Sequence, residues 1–228
     1  MAADADRTMR ARIRDAAVRR FAADGMEAPL RAIAADVGAS AALILHHFGS
    51  RAGLREECDA WVLSQVHEHK AGVLGSSGPT AMLAQLANVE GYANSVGYVL
   101  RCLQAGGETS SRFLSQMVAD SETYLREAEE AGTVRRSRAP AARARLLTEM
   151  ALGALLLQLP GRGEPLDIDS LPEWLRRYSE RIVLPMLEFY TEPLLTDSGL
   201  LDAYLASIAA NAPTTNTSTT NESGSTHG

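Results

Sequence analysis

An all-α fold is predicted by three features of the sequence. Ala, Leu and Arg are abundant, whereas β-branched and aromatic residues are few. Apolar residues recur at three- and four-residue steps rather than in alternation. Gly and Pro fall between those periodic stretches, where helices stop and start. With 228 residues and a hydrophobic fraction of 46%, the chain is long enough for a small domain followed by a larger one.

The first helix is expected from Arg7 to Asp24, with Ile13, Ala17 and Phe21 on one face and Gly25 as its stop. Pro29 suits the first turn of a second helix, in which Leu30, Ile33, Ala34 and Val37 follow at i, i+3, i+4 and i+7 up to Gly38. Ser40 is a natural cap for a third, Ala41 to His47, whose Ile44 and Phe48 point back at the first two. Two short helices joined by a Gly-containing turn predict a helix-turn-helix. A long helix should run from Ala52 to Val73 and end at the Gly75–Pro79 break. Helices are then expected at Thr80–Glu90, Tyr92–Gln104, Thr109–Ala131, Pro140–Leu159, Glu173–Tyr190 and Ser198–Ala210, with a basic turn over 132–139 and Pro185 kinking the penultimate one. Residues 211–228 carry no large apolar side chain and are expected to be a disordered tail. The domains are therefore drawn at 7–51, 52–210 and 211–228.

The net charge of −6 hides an asymmetry. Between Arg7 and Arg55 nine arginines face four carboxylates, a net of +5 that leaves −11 for the remainder. A basic end can meet phosphate while the acidic remainder is repelled from it. No apolar run approaches the roughly 20 residues that span a bilayer, and the acidic start lacks the basic and apolar regions of a signal peptide, so a cytoplasmic location without membrane contact is expected. Cys58 and Cys102 are isolated and read as small buried hydrophobes.

The stretches Phe21-Ala-Ala-Asp-Gly25, Arg31-Ala-Ile-Ala-Ala-Asp-Val-Gly38 and Leu43-Ile-Leu-His-His-Phe-Gly-Ser-Arg51 resemble, in order and spacing, the N-terminal signature of the tetracycline-repressor (TetR) family. The resemblance implies a dimer that places its third helix in the major groove of a palindromic double-stranded operator. Ser40, Ala41, Ala42, Leu45 and His46 would form the groove face. Ala41, Ala42 and Leu45 suit thymine methyls, and His46 suits a donor to base or phosphate. Arg31, His47 and Arg51 would contact phosphate and fix register. Arg51 stands where the family usually has Lys, and Leu45 where it usually has Tyr. A helical interaction module of the same fold, without sequence-specific DNA binding, is the alternative that this bare groove face leaves open.

The resemblance further implies a ligand-binding and dimerisation domain over 52–210, with its last two long helices pairing with their copies. Met150 and Leu155–Leu159 exceed what one protomer face can cover, which supports this independently. Leu155, Leu156, Leu159, Ile182 and Met186 are the interface candidates. A pocket is expected among the central helices, with Trp61, Gln65, Tyr98, Arg101, Met117, Tyr124, Met150 and Gln158 presenting polar or soft tips to a small, mostly apolar effector. The long helix after Ser50 is the expected lever between pocket and DNA. Enzyme chemistry and cofactors are not expected. His67 and His69 are two apart and lack the i, i+4 spacing of a helical zinc pair, their neighbours Glu68 and Lys70 suggest a solvated face, and no GxSxG, Walker loop or GxGxxG is present.

Overall fold

The computed structural model describes residues 2–75, 78, 80, 84, 90–157, 167–192 and 194–211. Nine helices are described among them: α1 Ala2–Asp24, α2 Leu30–Asp36, α3 Ala41–Phe48, α4 Arg51–Leu74, α5 Ala93–Ala105, α6 Gly107–Glu130, α7 Pro140–Leu156, α8 Leu171–Thr191 and α9 Gly199–Ala210. A 3₁₀ turn, Glu90–Tyr92, leads into α5, and no strand occurs among the described residues. The expected helix at 80–90, the loop at 160–166 and the tail at 212–228 lie wholly or largely outside the described residues.

Each boundary has a local cause. α1 starts five residues before the expected Arg7, because the Ala-rich beginning is itself a good helix former. Pro29 lies outside α2: it is the extended residue (φ −72°, ψ 139°) on which the helix opens. α2 closes at Asp36, earlier than expected, in a Schellman arrangement. Gly38 N donates to Ala35 O at 3.2 Å and Ala39 N to Ala34 O at 2.9 Å, with Gly38 at φ +66°. Ser40 and Ser50 cap α3 and α4, accepting from Leu43 N at 3.1 Å and Gly53 N at 2.9 Å. Gly53 is fixed by space, since a Cβ there would lie 2.2 Å from the carbonyl oxygen of Phe48. Glycine thus lets the first turn of α4 press directly onto the end of α3.

The described chain divides into two compact units, residues 1–182 and 183–228. In the first, one continuous apolar cluster runs through Ile13, Phe21, Ile33 and Ile44 into Leu54, Cys58 and Val62 of α4, Tyr98 and Cys102 of α5, and Phe113 of α6. The helix-turn-helix therefore shares its core with the helices that follow, and α1 packs against α5 as well as α4. α6 packs along both α4 and α7. The α6–α7 pair is tied by Thr148 Oγ1 donating to Ser121 Oγ at 2.8 Å and by the Arg143–Glu129 ion pair. The second unit contains the end of α8 and α9, whose residues are all exposed or half-buried.

Candidate nucleic-acid interface

The third helix presents the face expected of it. Ile44 and Phe48 are buried, whereas Ala42, Leu45 and His46 are exposed and Ala41 is half-buried. Leu45 is 42% exposed, so it is available to a groove rather than packed inside. Ser40, itself exposed, caps the N-terminal end of α3. Arg31 is exposed, with no ion pair or hydrogen bond among the described residues. His47 is half-buried beside the Phe48 ring at 6.2 Å, which places it at the margin of this surface.

Arg51, expected at phosphate, also makes contacts within the chain. Its Nη1 donates to Ala28 O and its Nη2 to Met26 O, both at 2.8 Å, and its guanidinium lies 5.8 Å from the Phe21 ring centre. Two of its donors thus hold the α1–α2 link, because the carbonyls of that turn have no helical partner. The wider basic charge is also partly internal. Arg20 grips Asp36 with two 2.6 Å bonds and Asp24 at 3.1 Å, which holds the Asp36 carboxyl below the usual carboxylate range. Arg14 pairs with Asp15 at 2.8 Å, Arg19 with Asp169 at 3.0 Å and Arg55 with Asp59 at 3.0 Å. The net +5 of the segment is accordingly a poor count of the charge left for phosphate.

One positioning residue escaped the sequence reading. Arg10 donates to the His47 carbonyl at the end of α3 and to Glu57 Oε2 of α4 at 2.6 Å, with its guanidinium 4.5 Å from the Phe48 ring centre. The residue therefore locks the recognition helix to both α1 and α4. Its signal was present: Arg10 falls on the same i, i+3, i+7 face as Ile13 and Ala17, an odd place for a cation unless it is held there.

The candidate pocket residues have varied surroundings within the larger domain. Tyr98 is fully buried, edge-on to Phe21 and Phe113, and its hydroxyl donates to Asp59 Oδ1 at 2.5 Å. Burial, then the adjacent carboxylate, pushes that phenol's pKa up. Met117 is buried in the same cluster. Arg101 donates to Ala22 O and Ala23 O, each at 3.1 Å, and so caps the last turn of α1 from α5. Trp61 is half-buried under Arg14, 4.7 Å from its ring centre, and Gln65 donates to Glu68 at 3.4 Å. Tyr124 donates to Ser121 at 3.1 Å, Met150 is 43% exposed, and Gln158 lies outside the described residues. Two cavities lie along the helices of the larger domain. A cleft of about 520 Å³ between α4 and α6 is lined by Glu56, Asp59, Leu63, Arg112, Gln116 and Asp120 among others, and a hollow of about 280 Å³ between α7 and α8 by Ala154, Leu157, Tyr178, Arg181 and Ile182. The cleft brings Glu56, Asp59, Arg112 and Asp120 together with Ala60, Leu63 and Ala119.

His67 and His69 also depart from the solvated face expected for them. His67 Nδ1 lies 2.8 Å from Asp120 and its Nε2 3.9 Å from Glu127, while His69 packs 4.3 Å from the Tyr92 ring centre. Burial, and secondarily Lys70, lowers the His69 pKa to about 4. Of the interface candidates, Leu156 is exposed, Leu155, Ile182 and Met186 are half-buried, and Leu159 lies outside the described residues.

A three-helix unit whose capped third helix turns Ala42, Leu45 and His46 outward defines a helix-turn-helix protein of the DNA-binding class, joined to a larger helical domain. Comparison with known proteins narrows this. Residues 13–58 match the model of the bacterial regulatory proteins of the tetR family, and residues 90–196 match that of the tetracyclin repressor-like C-terminal domain. The chain is 45% identical over 202 residues to the HTH-type transcriptional regulatory protein RaaS of Mycobacterium tuberculosis, covering 89% of this chain and 94% of that one. In fold it is similar to a TetR-family transcriptional regulator from Rhodococcus sp., with a TM-score of 0.53 and 16% identity over 76% of this chain and 97% of that one. The chain belongs to the TetR family: it is a transcriptional regulator and not an enzyme. No helix among the described residues is long and apolar enough to cross a membrane.

Proposed function

We propose that the protein is a ligand-responsive repressor that binds a palindromic operator as a homodimer and is released by a small effector. The observation that carries this reading is the exposed face of α3, held in place by the Ser40 cap and by Arg10, with Arg31 free beside it. Ala42 and Leu45 read thymine methyls, His46 donates to a base edge or phosphate, and Arg31 contacts phosphate. His47 and Arg51 contact phosphate beside it, Arg51 with the donors that remain after Ala28 O and Met26 O, and Arg10 holds the end of α3 through the His47 carbonyl. Dimerisation uses α7 and α8, with the exposed Leu156 together with Leu155, Ile182 and Met186. The effector enters among the helices of the larger domain. Its release of DNA requires only a preference for one spacing of the two recognition helices, of roughly 1–3 kcal/mol.

The test is the salt dependence of duplex binding. Arg31→Ala should weaken binding to all sequences alike and reduce the slope of log affinity against log salt by about one. An unchanged slope would remove Arg31 from the interface. A wild-type affinity without salt dependence would favour an interaction module of the same fold.

A further inference from the structure

We propose that Arg10 decides how sharply the protein tells its operator from other duplex, because it ties the aim of α3 to the place of α4; this rests on the DNA-binding reading above. Arg10 is then a positioning residue for base readout and touches no DNA itself.

The recognition helix cannot aim itself. α3 has eight residues, of which only Ile44 and Phe48 are buried, and so short a helix does not persist alone in water. Its direction is set by what holds its two ends. At the start, Ser40 accepts from Leu43 N, and backbone bonds close the turn from α2. At the finish, Leu45 O accepts from Gly49 N at 2.8 Å, and His47 O accepts from Nη1 of Arg10. Leu45 and His46, which face the groove, lie in that last turn.

One guanidinium joins three helices. Arg10 belongs to α1, its Nη2 donates to Glu57 Oε2 of α4 at 2.6 Å, and its guanidinium carbon lies 4.5 Å from the Phe48 ring centre at the end of α3. Donors held in one plane, with a flat face against an aromatic ring, require a guanidinium. An ammonium on a flexible stem keeps the charge and loses that fixed geometry.

Loss of this hold spares the rest of the unit. α1 and α4 remain joined by Cys58 Sγ, which donates to Arg14 O at 3.8 Å, and by Arg14, 4.7 Å from the Trp61 ring centre. The Arg10 side chain is 42% exposed, so a change there opens no cavity in the core. Arg12 supplies a contrast: it donates to Val37 O at 3.3 Å, in the turn before α3, and has no bond to α3 or α4 among the described residues. A tilted α3 still meets phosphate, since charge acts at a distance, whereas its contacts to base edges weaken steeply with misalignment. Loosening the end of α3 therefore costs discrimination and leaves general affinity.

Selection from a random duplex pool with wild type supplies the operator, and equilibrium binding across salt then compares that operator with a scrambled duplex. Arg10→Lys should lower the ratio of operator to scrambled affinity about tenfold, the size of one lost base contact, with the salt slope and the denaturation midpoint unchanged. Glu57→Ala should lower the ratio about three- to fivefold, and about as little as nothing more when Arg10→Lys is already present, as expected of two residues in one contact. Arg12→Lys should leave it within about twofold. An Arg10→Lys protein as discriminating as wild type would overturn the proposal. Equal losses on both duplexes with a lowered midpoint would also do so, because they mark a residue needed only for folding. If Arg10→Gln reduced the salt slope by about one and Arg10→Lys restored it together with full operator affinity, Arg10 would be a phosphate contact and the proposal would fail. A wild type that enriches no sequence would instead refute the DNA-binding reading on which the proposal stands.

Discussion

The first three helices and residues 183–211 handle apolar surface in opposite ways. In the former, Ile13, Phe21, Ile33 and Ile44 are almost wholly buried, and arginines close the ends of the helices: Arg101 on the last carbonyls of α1, Arg51 on those of the link that follows it, and Arg10 on the His47 carbonyl in the last turn of α3. In the latter, large apolar residues lie open and charged partners are few. The difference teaches that the DNA-binding end is set by contacts within one chain, including its seat on α4 and α5, whereas the C-terminal unit leaves most of its large apolar side chains without a cover in the single chain.

The largest expected effect falls at the tightest point of the first region. Gly53→Ala places a Cβ against the Phe48 carbonyl, a backbone group that cannot step aside, and should destabilise the protein by about 3 kcal/mol in chemical denaturation while loosening α3. A stable variant would mean that α3 and α4 are less closely joined than described. Next is Tyr98→Phe, which deprives a largely buried carboxylate of a donor and should destabilise by about 1–2 kcal/mol. Unaltered stability with altered effector release would return Tyr98 to the pocket.

A smaller effect concerns pH. The folded pKa of His69 is lowered to about 4, so between the usual imidazole value and that point the unfolded chain holds a proton that the folded one does not. Stability contributed by His69 is therefore complete above about pH 6.5 and is lost as pH falls toward 4, by on the order of 1 kcal/mol given its partial exposure. His69→Phe should flatten that part of the stability profile. The smallest effect should come from the other region: Leu200→Ala, at a side chain 71% exposed, should change the stability of the single chain, measured by chemical denaturation, by less than about 0.5 kcal/mol.

Much of this was visible in the residues. The Ile13, Ala17, Phe21 face, the Ser40 cap and the inward Ile44 and Phe48 follow from short-range periodicity and capping, and the structure places them as expected. The roles of Arg51, Arg101 and Tyr98 were not visible, because each is decided by a partner far along the chain: Ala28, Ala22 and Asp59. A polar tip on an apolar face reads the same whether it meets a ligand or caps a distant helix. The same ambiguity made His67 and His69 look solvated, when Asp120 and Tyr92 were the neighbours that mattered.

The central claim, that the α3 face reads an operator as a symmetric pair, is tested most directly by selecting bound sequences from a random duplex pool at moderate salt with the purified full-length protein. Enrichment of a palindrome with half-sites about one helical turn or more apart is the predicted result. No enrichment, from a folded and dimeric preparation, would contradict it.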